Sequence, residues 1–131
     1  MLRISKLSDY ALIILTEMND KDIFSAKKLS EMTSVPLATT NKILKLLTHA
    51  KITFAGRGKN GGFSLNKPLS SISVLDVIWA IDEKPTSLTE CSTAHSNCQL
   101  KSYCKISKKM NIIDKEIYQV LSNKFVFDLL S

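Results

Sequence analysis

The fold of this chain is decided by residues 34–65, SVPLATTNKILKLLTHAKITFAGRGKNGGFSL. Pro36 favours the start of a helix, and apolar residues at helical spacing extend that helix to about Ala50. Two short stretches typical of β-strands follow, Ile52–Ala55 and Phe63–Asn66, and the glycines between them permit a tight hairpin tip. The stretch therefore predicts a helix followed by a two-stranded wing. The residues expected on the inner face of the helix are Leu37, Ile43, Leu44 and Leu47.

Two helical patterns precede this stretch. The first carries apolar residues at helical spacing from Tyr10 to Met18, with Ser8 as its expected N-cap. Polar residues 19–22 interrupt that pattern, and Ser25 marks the start of a second, shorter helix. This order of helices and hairpin is that of a winged helix-turn-helix. The predicted fold class is therefore mainly α, with a winged helix-turn-helix DNA-binding domain over residues 1–67.

The positive charge of the chain is concentrated in this predicted domain. The net charge is +6; residues 1–67 carry 11 basic and 5 acidic residues, whereas residues 68–131 carry 7 of each. From residue 36 to residue 67 there are six bases and no acid. Binding to a polyanion requires such a field of one sign, and a solvated basic face is the alternative interpretation.

A helix-turn-helix places the early exposed residues of its second helix against base edges in the major groove. Asparagine, threonine and lysine bond to bases or phosphates, and an arginine at a wing tip suits a narrow minor groove. The residues predicted to contact DNA are Thr39, Thr40, Asn41, Lys42 and Lys45 on the helix, with Arg57 and Lys59 on the wing.

The C-terminal half, residues 68–131, predicts a helix capped by Ser73 and a longer helix over about residues 104–123. The longer helix carries an apolar stripe that favours pairing with a second copy of the chain. Docking of the stripe on the chain's own core is the alternative. An apolar tail, residues 125–130, is expected to pack back onto the domain. The stripe consists of Ile106, Met110, Ile113, Ile117, Val120 and Leu121.

All three cysteines lie in one polar loop, about residues 84–104, between these two helices. Cys91, Cys98 and Cys104 have the spacing Cys-x6-Cys-x5-Cys, which is wider than the closely spaced pairs of structural zinc sites. Three thiolates this close favour a soft metal or an iron–sulfur cluster. Zinc binding, thiol oxidation and ordinary packing are the alternatives that spacing leaves open.

A cluster held by cysteine normally has a fourth ligand. His95 lies within the loop, and Asp9 on the first helix can approach from a partner chain. Glu90, solvent or a small thiol are further candidates, and His49 is expected to be structural. No arrangement of nucleophile, base and oxyanion donors is visible, so we predict that the chain is not an enzyme.

Composition excludes several classes of protein. The apolar content of 44% and the charged content of 23% are typical of a globular domain. No run of residues approaches the ~18 unbroken apolar residues of a membrane span. The apolar N-terminal stretch lacks a signal-peptide cleavage site, and the odd cysteine count argues against a disulfide framework. We therefore expect a cytoplasmic protein that does not bind membranes.

Several short motifs occur together along nearly the whole chain. They are LRISKLSDYA at residues 2–11, FSAKKL at 24–29, KILKLL at 42–47, GGF at 61–63, ISVLDVI at 72–78 and LTEC at 88–91, with Cys98 and Cys104. With these motifs the chain resembles the IscR/NsrR-like winged-helix regulators that sense iron–sulfur clusters, and looks closest to the SUF-type regulators of cluster assembly. The resemblance implies a homodimer that binds a pseudo-palindromic operator in double-stranded DNA and represses assembly genes.

The resemblance also implies a ligand set, in which Cys91, Cys98 and Cys104 bind the cluster. IscR-like members place a histidine three residues after the third cysteine, where this chain has Ser107. NsrR-like members use an acid on the first helix of the other subunit, and Asp9 matches that position. Asp9 in trans is therefore favoured as fourth ligand.

His95 is the second candidate for the fourth ligand. IscR-like members hold a [2Fe–2S] cluster and NsrR-like members a [4Fe–4S] cluster, so the resemblance leaves both types open; we favour [2Fe–2S]. The alternative function is a winged-helix regulator whose cysteines serve zinc, thiol-redox or nitric oxide sensing.

Overall fold

The computed structural model describes residues 3–56, 58, 61–83, 99–100 and 103–130. Helices dominate this part of the chain, and a two-stranded antiparallel sheet forms the wing. The elements in chain order are α1 (Lys6–Glu17), α2 (Ala26–Thr33), α3 (Leu37–His49), β1 (Thr53–Ala55), β2 (Phe63–Leu65), a 3₁₀ turn (Leu69–Ser71), α4 (Val74–Asp82), α5 (Ser107–Ser122) and a second 3₁₀ turn (Val126–Leu129).

Serine side chains begin three of the helices. Ser25 Oγ accepts from the amide of Lys28 at 3.0 Å, and Ser73 and Asp76 exchange side-chain and backbone bonds in a capping box. The prediction that Ser8 caps α1 is wrong, because the helix starts earlier. Ser5 is the cap, and its Oγ accepts from the Ser8 amide at 3.1 Å.

One hydrophobic core joins the winged segment to the C-terminal half of the chain. Each large apolar side chain that is fully buried contributes roughly 1.5–3 kcal/mol relative to exposure. The core crosses residue 67, the predicted boundary, because α4 packs on α1 and α3 and the C-terminal 3₁₀ turn packs on α1. Members with no exposed surface include Ile14, Leu15, Leu29, Ile43, Leu44, Leu47, Ile72, Val77 and Val126.

The wing is anchored to the connection between α1 and α2. Its strands pair with Thr53 opposite Leu65 and Ala55 opposite Phe63. Phe63 also forms a two-bond bridge with Phe24: the Phe24 amide donates to the Phe63 carbonyl at 2.8 Å, and the reverse bond measures 2.7 Å. A short sheet of two strands is marginal alone, so this third partner fixes β2 to the connection between α1 and α2.

The C-terminal tail packs back onto the domain, as predicted. Val126 has no exposed surface, and its amide donates to the Ile72 carbonyl at 2.9 Å. The amide of Val74 in turn donates to the Lys124 carbonyl at 2.8 Å. Among the described helices, none combines the length and the apolar character needed to cross a bilayer.

Helix α5 makes limited contact with the rest of the described chain. It packs against α4, where the rings of Trp79 and Tyr118 lie 6.1 Å apart at an angle of 59°. Asp114 is the one residue of α5 that is classed as buried. Much of the predicted apolar stripe remains accessible in the single chain, as the exposed fractions of Ile106 (59%), Ile113 (42%) and Val120 (60%) show.

Candidate nucleic-acid interface and cysteine segment

Helix α3 presents an exposed polar face, which we call the reading face. Steps of four residues place its members along one side of the helix, because four residues span slightly more than one turn. Asn41, Lys42 and Lys45 lie on this face, as expected for the second helix of a helix-turn-helix, and Thr39 is half-buried beside it. The reading face consists of Leu37, Ala38, Asn41, Lys42, Lys45 and His49.

Thr40 does not belong to the reading face, so its expected exposure on α3 is wrong. Its side chain has no exposed surface, and its hydroxyl donates to the Val35 carbonyl at 3.3 Å. Thr40 lies on the same side of the helix as Leu44 and Leu47, four and seven residues on, which sets its direction. A count of helical spacing from these two leucines would have found it.

Leu37 is the reverse case. The sequence predicts Leu37 on the inner face with Ile43, Leu44 and Leu47, yet 45% of its surface is exposed. Leu37 is the first residue of α3, and it lies at the edge of the reading face, one turn before Asn41.

Hydroxyl groups fix the turn between α2 and α3. The Val35 carbonyl accepts from Ser30 on α2 at 2.6 Å as well as from Thr40 on α3. Ser34 adopts a left-handed conformation with φ of 63°, and its amide donates to the Ser30 carbonyl at 2.9 Å. Both helices are thereby tied to one carbonyl, so the direction of the reading face is set relative to α2.

The wing tip is described in part. The Gly56 amide donates to the Gly62 carbonyl at 2.8 Å, and the Gly61 amide donates to the Gly58 carbonyl at 2.9 Å. Gly58 has φ of +95°, a conformation that suits glycine. Arg57 and Lys59, the predicted DNA contacts of the wing, lie outside the described residues.

The cysteine segment is also described in part. Cys104 is a free, half-buried thiol that lies three residues before the start of α5. Cys91, Cys98, Glu90 and His95 lie outside the described residues. Within the ranges that are described, no group of three potential metal-ligating side chains comes together.

Asp9, a candidate ligand, and His49, which is expected to be structural, both lie on helices and are both exposed. Asp9 is exposed in the first turn of α1, where a carboxylate also complements the helix dipole. His49 is exposed in the last turn of α3, on the reading face.

Two hydrogen bonds join the start of α1 to the end of α4. Ser5 Oγ donates to one oxygen of Asp82 at 2.8 Å, and Ser8 Oγ donates to the other at 3.1 Å. Asp9 follows Ser8 directly, and the loop that carries Cys91 starts just after Asp82. The first turn of α1 therefore contacts the last residue of α4, after which the chain continues into the cysteine loop.

Comparison with known proteins identifies a family and a fold. The model of the Rrf2 family, described as an iron-dependent transcriptional regulator, matches residues 4–131. CymR (YrzC), the global cysteine regulator of B. subtilis, superposes with a TM-score of 0.74 at 20% identity, over 98% of this chain and 96% of its own. IscR of T. potens gives 0.71 at 20% identity, over 98% and 86%. CymR of Staphylococcus aureus gives 0.69 at 22% identity, over 95% of each chain. The predicted winged-helix fold class is confirmed.

Proposed function

Because the chain belongs to the Rrf2 family of transcriptional regulators, we propose that it is a homodimeric repressor of iron–sulfur cluster assembly genes that senses a cluster at its cysteine loop. Transcriptional regulation is the function of the family, which agrees with the prediction that the chain is not an enzyme. The observation that carries the DNA-binding part of the proposal is the reading face of α3, with exposed Asn41, Lys42 and Lys45 on one side of a well-anchored helix.

Contact chemistry assigns different roles within the reading face. The Asn41 amide can bond bidentately to adenine, and Lys42 can reach guanine or a phosphate. Lys45, one turn after Asn41, is placed for the phosphate backbone, and Thr39 for a base or phosphate at the side of the face. Arg57 and Lys59 remain the proposed minor-groove and phosphate contacts of the wing.

The exposed stripe of α5 supports the homodimer. Ile106, Ile113 and Val120 leave large apolar surfaces uncovered in one chain, and a second α5 would bury them. A symmetric pair of winged heads binds two half-sites, so the operator is expected to be pseudo-palindromic.

The proposed cluster is held by Cys91, Cys98 and Cys104, with Asp9 of the partner subunit as fourth ligand and His95 as the second candidate. The free, half-buried thiol of Cys104 and the exposed carboxylate of Asp9 suit this donor set chemically. A cluster supplies a centre that iron status, oxidants or nitric oxide alter. We favour [2Fe–2S] over [4Fe–4S].

The bonds from Ser5 and Ser8 to Asp82 suggest how the loop is coupled to the DNA-binding head. A change in the loop that displaces the end of α4 strains these two bonds, and α1 packs directly on α2 and α3. Loading then changes DNA affinity, because the DNA-competent and DNA-incompetent arrangements would bind the cluster with different affinities. The same contact also makes Asp9 of the same chain a candidate ligand, beside the arrangement in trans.

Anaerobic purification with measurement of iron, sulfide, zinc and molecular mass tests the proposal. We expect a dimer that contains equal amounts of iron and sulfide, and a change in affinity for a selected duplex when the cluster is removed. The variant with Cys91, Cys98 and Cys104 all replaced by alanine is the control and should take up no iron. Absence of iron from the wild type, or equal uptake by this variant, would rule out the cluster.

Mixed dimers separate the two positions of Asp9. One subunit carries Asp9→Ala and keeps its cysteines. The other carries the three cysteine substitutions and keeps its Asp9. A mixed dimer therefore has a complete site only if the cysteines of one subunit bind the cluster together with Asp9 of the other. Ligation in trans places the intact Asp9 and the intact cysteines in the same site and retains one cluster per dimer. Ligation within one chain leaves no complete site.

A thiol or zinc sensor is the second candidate function. It is favoured by the free, half-buried thiol of Cys104 and by the likeness to CymR, which is described as a cysteine regulator. The same preparation distinguishes the two functions. One zinc per chain, or DNA binding that responds to thiol oxidants without any iron, supports this candidate.

A further inference from the structure

Leu37 is an apolar residue in a polar surface. On α3, Ile43, Leu44 and Leu47 have no exposed surface and Leu46 is half-buried, whereas 45% of Leu37 is exposed. An isolated exposed leucine is ordinary on most protein surfaces. Its position is what matters here, because Leu37 begins α3 and lies one turn before Asn41 at the edge of the reading face.

The first turn of a recognition helix contacts base edges in the major groove. A leucine has no hydrogen-bond donor or acceptor in its side chain, so it recognises neither a phosphate nor the polar edge of a base. The one apolar group that base pairs present in the major groove is the C5-methyl group of thymine. Ala38, the next residue and also exposed, adds a methyl group but no polar group.

We propose that Leu37 is a specificity-determining residue that recognises a thymine methyl group in each half-site of the operator. This inference rests on the proposed DNA-binding function and adds a sequence preference to it. The thymine lies next to the base that Asn41 contacts, since the two side chains are one turn apart on the same helix.

The size of the effect follows from the area that the contact removes from water. One methyl group buried against the leucine side chain corresponds to about a fourfold change in affinity for each half-site. The effect concerns discrimination between thymine and uracil, so it is distinct from a general loss of DNA binding.

The test uses the full-length dimer and a duplex selected by it from a randomised library. Each thymine of that duplex is replaced in turn by deoxyuridine, which removes only the C5-methyl group, and affinities are measured at one fixed salt concentration. We expect wild type to lose about fourfold per half-site at one thymine position. Leu37→Ala should bind the thymine and uracil duplexes equally, because the partner of the methyl group is gone.

Met32→Ala provides the matched control, because Met32 is 43% exposed but lies on α2. It should keep the wild-type discrimination. Leu37→Ala should fold normally, because Leu37 is not a core residue and alanine has the highest helix propensity. Circular dichroism checks this.

Three outcomes would overturn the proposal. Equal affinity of wild type for the thymine duplex and every uracil duplex would remove Leu37 from recognition. Full wild-type discrimination by Leu37→Ala would do the same, and either result leaves the proposed function intact. A library that yields no enriched sequence contradicts specific DNA binding itself, and the inference about Leu37 fails with it.

Discussion

Substitution of Gly62 by alanine tests how the wing is positioned. An added Cβ at residue 62 would lie 2.8 Å from Cγ2 of Ile23, 2.8 Å from the carbonyl oxygen of Phe24 and 3.1 Å from its carbonyl carbon. The Ile23 side chain is 56% exposed and can rotate away. The Phe24 backbone cannot move freely, because the same residue makes the two-bond bridge to Phe63.

The expected loss of stability follows from the contacts that the added methyl group would disrupt. Relief of the clash requires the wing to move away from Phe24, which weakens two backbone hydrogen bonds of about 0.5–1.5 kcal/mol each. Overpacking of a tight site costs a similar amount, about 1–3 kcal/mol. We therefore expect Gly62→Ala to lower the free energy of unfolding by about 1–3 kcal/mol. DNA affinity should also fall, because the wing carries Arg57 and Lys59.

Urea denaturation followed by circular dichroism, at one protein concentration, measures the first effect, and fluorescence anisotropy with a labelled duplex measures the second. Gly56→Ala is the matched control in the same wing, because the nearest atom to its added Cβ lies at 3.8 Å, an ordinary contact. This control should change stability by less than about 1 kcal/mol. Equal stability and DNA affinity of the two variants would refute the role assigned to the bridge between Phe24 and Phe63.

Three further predictions concern the contacts around the reading face and α1. Asp82→Ala should lower the free energy of unfolding by about 1–3 kcal/mol in urea titrations, because two hydroxyl donors lose a charged acceptor; an unchanged midpoint would contradict it. Thr40→Val should lower the free energy of unfolding by about 0.5–1.5 kcal/mol, because its hydrogen bond to the Val35 carbonyl is lost, and should leave the DNA sequence preference unchanged. Asn41→Ala should instead relax that preference and weaken binding to the preferred duplex by about 1–3 kcal/mol. Competition with mutated duplexes measures the sequence preference of both variants. A relaxed preference in Thr40→Val would show that Thr40 does contribute to base recognition. Lys45→Ala should weaken binding to all duplexes and reduce the slope of log affinity against log salt concentration by about one unit, as measured by a salt titration. A loss of affinity for one sequence alone would indicate a base contact instead.

The order of helices and wing followed from local sequence signals. Serine caps, the helical spacing of apolar residues and the glycine-rich hairpin each act over a few residues, so the sequence displays them directly. The wrong prediction for α1 concerns the residue at which the helix begins. The apolar pattern predicts Ser8 as the cap because the pattern starts after it, whereas the helix starts at Lys6 with Ser5 as its cap.

The faces of α3 show what helical spacing alone cannot decide. Leu37 matches the spacing of the inner face, yet it lies at the first residue of the helix, where burial depends on the neighbouring elements rather than on the residue type. The sequence predicts Thr40 as a DNA contact because it lies early in the second helix, although its spacing from Leu44 and Leu47 places it inside. A polar residue on an inner face is stable when its hydroxyl finds an acceptor, and the Val35 carbonyl supplies that acceptor.

The connection between α1 and α4 could not be predicted from the sequence, because its partners are 77 and 74 residues apart. Such a contact depends on how the helices pack, and no local pattern marks Ser5, Ser8 and Asp82 as a group. These hydrogen bonds lie between the two parts of the chain that supply the proposed cluster ligands. Asp82 ends the helix from which the cysteine loop departs, and Ser8 precedes Asp9, the proposed fourth ligand. If Asp9 comes from the same subunit, a cluster that binds both the loop and Asp9 would act on the two sides of one hydrogen-bonded junction. If Asp9 comes from the partner, the cluster would join the α4 side of one subunit's junction to the α1 side of the partner's junction. The α1 helix is therefore the element through which loop occupancy would reach α3, because α1 packs on both α4 and α3.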